Sequence, residues 1–69
     1  MKKKIYTMLE KANRFRLDDG FPMLLLEYSN GKYVLEEKQT NCGIYYIDAI
    51  GLKNIYSFLQ TQIEWYEGM

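Results

Sequence analysis

Histidine is absent from this 69-residue chain, and cysteine and proline occur once each, as Cys42 and Pro22. Without histidine, neither a Ser/His nor a Cys/His nucleophile can be assembled. One cysteine and no histidine also exclude the usual zinc ligand sets and any internal disulfide, which fits a reducing compartment. Cys42 falls in a polar stretch beside Gly43 and reads as an ordinary turn residue. No Gly-rich loop stands before a helix in phosphate-binding form, so no nucleotide or other cofactor is expected. The adjacent carboxylates do not make a catalytic pair. Glu36 and Glu37 would point to opposite faces of a strand, and Asp18-Asp19 before Gly20 is turn chemistry. The expectation is a chain that is not an enzyme.

Long apolar runs are also missing. The opening MKKK has the charge of a secretory leader, but the run from Ile5 to Leu9 is interrupted by Tyr6 and Thr7 and stopped by Glu10 and Lys11. No leader core follows in this run, and no membrane-spanning segment is expected. A cytoplasmic location is expected. With 48% hydrophobic and 26% charged residues, the composition is that of a folded domain and not of a disordered tail. Residues 1–69 are expected to form one domain, at a size where a single core barely offsets chain entropy, so association is expected early.

Neither sign of charge is in excess overall, but the distribution is uneven. Residues 1–16 hold six Lys/Arg against one acid, a net +5, and residues 17–69 hold three against eight, a net −5. Such a dipolar chain can present one end to a polyanion, or its ends can attract each other within the fold or between copies.

Ile5, Met8, Leu9 and Ala12 follow the spacing of an amphipathic helix, which predicts a helix over residues 3–13. Phe15 to Leu17 alternates and reads as a short extended piece before the Asp18-Asp19-Gly20 turn. Asn30-Gly31 between two β-type runs predicts a two-residue type I′ hairpin. That loop sets Tyr28 against Tyr33, Leu26 against Leu35 and Leu24 against Glu37 on one face, and Glu27 against Val34 and Leu25 against Glu36 on the other. Ile44 to Ile47 reads as a third antiparallel strand of open register, and Asp48 as the N-cap of a helix over residues 51–66. The buried stripe of that helix is Leu52, Ile55, Tyr56, Leu59, Ile63 and Tyr66. At roughly 24 Å it is long enough to cover the Leu24, Leu26, Tyr28, Tyr33, Leu35 face.

The fold expected is therefore α+β, a small antiparallel three-stranded sheet flanked by an N-terminal and a C-terminal helix in the order α-β-β-β-α. What covers the second face of the sheet stays open. Both helices can share the first face, leaving Met23, Leu25 and Val34 exposed among Glu27, Glu36 and Lys38. Alternatively, the N-terminal helix crosses over and closes the second face. Burying each such side chain contributes about 1.5–3 kcal/mol, a sizeable incentive for association if they are left out. Phe58 and Trp65 lie seven residues apart and roughly 120° from the main stripe, where they either margin the core or anchor a partner. Seven tyrosines suit a surface that is wet when free and buried when bound.

The leading expectation is a small protein-binding module, a regulator or inhibitor of a host protein of the kind that phages and mobile elements encode. Its contacts would be Met23, Leu25, Val34, Phe58 and Trp65, with a second copy (a homodimer) among the partners. A first alternative is a nucleic-acid-binding accessory protein. Lys4, Thr7, Lys11 and Arg14 fall within an arc of roughly 80° opposite the apolar stripe, and Lys4, Lys11, Arg14 and Arg16 would contact phosphate. A second alternative is a structural subunit of a larger assembly. No small-molecule substrate and no membrane partner are expected.

Overall fold

Asn30 and Gly31 both adopt positive φ, +53° and +76°, the requirement of a type I′ turn that asparagine and glycine meet at little cost. They join β1 (Leu24–Ser29) to β2 (Lys32–Gln39). The pairs are those the loop dictates, from Leu24 with Glu37 through Leu26 with Leu35 to Tyr28 with Tyr33. The computed structural model, which describes residues 1–39 and 43–68, adds β3 (Ile44–Ile50) antiparallel to β2. The sheet order is β1-β2-β3, between α1 (Lys2–Asp18) and α2 (Leu52–Glu67). The α-β-β-β-α arrangement expected from the sequence is the observed one. Thr40, Asn41 and Cys42, and with them the turn assigned to the lone cysteine, lie outside the described residues.

The third strand keeps step with β2 only as far as Ile47. Glu36 pairs with Ile47 but Leu35 pairs with Ala49, so Asp48 is the extra residue of a β-bulge. Tyr45 and Ile47, opposite Lys38 and Glu36, therefore share the face of Leu25 and Val34. Past the bulge, Ala49 returns to the core and Ile50, opposite Val34, to the other face. The N-cap of α2 is not Asp48 but Gly51, at φ +88°, a conformation that leaves the strand abruptly and favours glycine. Gly51 N–H donates to the Tyr33 carbonyl at 2.8 Å, pinning the corner to β2.

α1 runs five residues beyond its expected end. The apolar stripe stops at Ala12, but the buried face continues through Asn13 and Arg16, polar residues whose partners come from elsewhere in the fold. Phe15 to Leu17 is helix and not an extended piece. The helix ends in a Schellman arrangement: Gly20, at φ +77°, donates to the Leu17 carbonyl at 3.1 Å and Phe21 N–H to the Arg16 carbonyl at 2.8 Å.

Both helices lie on the Leu24, Leu26, Leu35 face. The buried cluster joins Ile5 and Ala12 of α1, Leu24 and Leu35 of the sheet, and Ile55, Leu59 and Ile63 of α2. The molecule is 14 Å thin in its shortest dimension, two layers with no room for a third, which would add about 10 Å. Tyr28, expected beneath α2, lies at the hairpin tip and is exposed, its ring edge-on to Tyr33 at 4.8 Å.

Candidate protein-docking surfaces

Because the helices share one face, nothing among the described residues covers the other. There Leu25 is 41%, Ile50 44% and Ile47 61% exposed, and Val34 is half-buried between its strand neighbours. Val34, Ile47 and Ile50 line a shallow depression of about 400 Å³ together with Glu27, Glu36 and Lys32. Glu27 and Glu36 are diagonal neighbours across β1 and β2. A hydrogen bond from one carboxyl to the other, followed by partial burial and the nearby Glu27 charge, raises the pKa of Glu36 above the ordinary carboxylate value. The open face is thus an apolar patch with two carboxyl groups held side by side.

Met23 does not belong to it. Just before β1, Met23 borders a groove with Tyr6, Leu9, Asn13 and Leu17 of α1. It is exposed there, on the flank of α1 and not on the second face of the sheet.

Phe58 and Trp65 share one flank of α2. The opposite flank is fixed against α1 by the Lys11–Glu67 ion pair at 2.8 Å and by the Lys4 ammonium 5.5 Å from the Tyr56 ring centre. At 100° per residue, Phe58 and Trp65 project away from α1, toward the β3 side of the sheet. Phe58 is half-buried against the core and Trp65 is 54% exposed, its indole edge-on to Tyr66 at 4.8 Å.

The basic row of α1 is divided. Lys4, Lys11 and Arg14 are exposed, although Lys11 meets Glu67 and Arg14 approaches Glu10 at 3.7 Å. Arg16 is not on that surface: it is 7% exposed and faces inward. Its Nη2 donates to Glu37 at 2.7 Å, its Nη1 to Gln62 at 3.0 Å and its Nε to the Pro22 carbonyl at 2.8 Å. One guanidinium ties together both helices, the central strand and the segment before β1.

The counterpart of Arg16 was readable in part from sequence, since the hairpin register puts Glu37 on the core face, where a carboxylate needs a cation. Asp48 was not readable. The bulge turns its side chain toward Glu37, and its Oδ2 is buried with no hydrogen-bond partner among the described residues. Burial above all, then the charge of Glu37 and a hydrogen bond with it, push the Asp48 pKa up to about 6 against the pull of Arg16. Phe21, Thr61, Trp65 and Tyr66 wall an open groove of about 420 Å³ above the Arg16–Glu37 pair. Among the described residues no helix is long and apolar enough to cross a membrane. Comparison of the chain with protein families, with curated proteins and with solved structures gave no match.

Proposed function

We propose that this chain is a small, non-enzymatic protein-binding module that docks through the open face of its sheet. The observation that carries the reading is the patch of exposed Leu25, Ile47 and Ile50 around half-buried Val34, on a chain whose two helices are both spent on the other side. A soluble domain gains by covering such a patch, and a partner with an apolar surface and one Lys or Arg would also relieve the crowded Glu27–Glu36 carboxylates. The module acts by occupying a surface of a host protein, as regulator or inhibitor. Its size, its lack of histidine and its Lys-, Ile-, Tyr- and Asn-rich composition suit the small products of phages and mobile elements. It also associates with a second copy of itself. The nucleic-acid reading has less support, because Arg16 is internal and Lys11 and Arg14 stand beside acids.

The test is affinity for a partner first isolated from the host and then purified. Val34→Asp and Leu25→Asp should weaken binding tenfold or more while the far-UV circular dichroism is kept, and Lys4→Glu should change it little. Full affinity in both folded sheet variants would remove the open face as the docking surface.

A further inference from the structure

The two edges of the sheet are finished differently. On β1 the outward backbone groups alternate at Leu24, Leu26 and Tyr28, because the turn makes Ser29 and Lys32 the closing hydrogen-bonded pair. The first of these is already occupied: Leu24 N–H donates to Asn13 Oδ1 at 2.7 Å, and Asn13 Nδ2 donates to the Leu24 carbonyl at 2.9 Å. A second copy pairing through the remaining two would set Glu27 directly against Glu27 of that copy, a like-charge pair that opposes the contact. The β1 edge is closed to itself.

Among the described residues, no comparable side-chain contact occupies the outward backbone groups of Tyr45 and Ile47 on β3. The Tyr33 carbonyl points toward β3, so Leu35 and Glu37 do as well, and Tyr46, opposite Glu37, faces β2 in return. Tyr45 and Ile47 must then direct their N–H and C=O groups outward, where β3 has no strand neighbour among the described residues. Ile44-Tyr45-Tyr46-Ile47 has no charge and no proline, the residues that ordinarily blunt an edge. At its C-terminal end the usable stretch is closed by the bulge at Asp48 and by Asn54, whose Nδ2 donates to the Ile50 carbonyl at 2.9 Å.

We propose that β3 pairs antiparallel with β3 of a second copy about a two-fold axis at Tyr46, giving one continuous six-stranded sheet. The sequence is self-complementary in that register. Tyr45 of each copy lies opposite Ile47 of the other on the open face, an aromatic and β-branched combination of the favourable kind. The pairs are hydrogen-bonded through the outward groups just described, four bonds in all by the ladder geometry of roughly two per such pair. Above the axis, on the helix side, the Phe58 and Trp65 flanks of the two α2 helices come to face each other. On the open side, the two docking patches merge into one platform.

Tyr45, Tyr46, Ile47 and Trp65, each about half exposed, offer roughly 300–500 Å² per copy. Over both copies that is about 600–1,000 Å², below the roughly 1,200 Å² at which stable interfaces begin and in the range of weak, transient ones, so the dimer is reversible and is populated only at high protein concentration. The proposal specifies the self-association named above but does not depend on which protein the module binds.

Sedimentation and light scattering of the purified chain over a range of concentrations should show a monomer–dimer equilibrium. Tyr45→Lys with Ile47→Lys places like charges opposite each other twice and should weaken association at least tenfold. Tyr45→Glu with Ile47→Lys places opposite charges there and should keep it. Tyr46→Cys in a Cys42→Ser background should form an intermolecular disulfide on mild oxidation, a readout that leaves Tyr45 and Ile47 untouched. A chain that stays monomeric at millimolar concentration overturns the proposal. So does a dimer indifferent to the like-charge variant, one lost equally in both charge variants, or one that the Tyr46→Cys chain fails to cross-link. Leu25→Asp, off this edge, should leave dimerisation intact even where it abolishes docking, so the two readings fail separately.

Discussion

The two faces of the sheet are built from the same three strands and similar residues, yet they have opposite fates. On one face Leu24 and Leu35 are fully buried under two helices; on the other, Leu25 and Ile47 face solvent among Glu27, Glu36 and Lys38. Leu24 and Leu25 are neighbours in sequence and equally apolar. The difference arises because α2, following β3 through the tight corner at Gly51, must fold back over one side, and α1 finds its best apolar partner in α2 and not in the bare sheet. A helix packed against both a helix and a sheet edge buries more surface than one lying alone across a small three-stranded face.

The sharpest check of this contrast is truncation of one leucine on each face. Leu35→Ala removes a fully buried side chain next to Ile55 and Leu59 and should cost about 2–5 kcal/mol in urea unfolding. Leu25→Ala on the open face should cost about 1 kcal/mol or less. Equal costs would mean that the open face is covered in solution and would break the comparison.

A second check concerns the ion pair that links the layers. Arg16→Ala leaves Glu37 without its cation and separates Gln62 and the Pro22 carbonyl from their common donor. The loss should be about 3 kcal/mol, less than for a wholly buried pair because Glu37 retains some exposure. Arg16→Met combined with Glu37→Leu should recover much of it, since no charge is then stranded. If Arg16→Ala were as mild as a change at exposed Arg14, the guanidinium would not be what holds the layers together.

The smallest effect separates Asp48 from the acids of the open face. Its pKa is raised from an ordinary 3.8 to about 6, so the folded chain holds a proton that the unfolded chain has released. The stability this group contributes is complete below about pH 3.8 and is lost as pH rises through about 6. Asp48→Asn should therefore raise stability at pH 7.5 by about 1 kcal/mol, after allowance for solvent screening. The gain should shrink toward zero near pH 4. A gain independent of pH would contradict the raised pKa of Asp48.

The sequence by itself determined what depends on neighbours along the chain. The Asn30-Gly31 turn set the hairpin register pair by pair, and the 3.6-residue repeat from Leu52 to Tyr66 set the buried stripe of α2, because turn chemistry and periodicity act over a few residues. Only the tertiary structure decided the rest. Asn13 and Arg16 look like surface residues until Leu24, Glu37 and Gln62 arrive to satisfy them, which is why α1 outruns its apolar stripe. The bulge at Asp48, the place of Met23 beside α1 and the choice of one face by both helices depend on which distant surfaces meet. Alternation along a strand marks two faces but carries no information about which of them another element will cover.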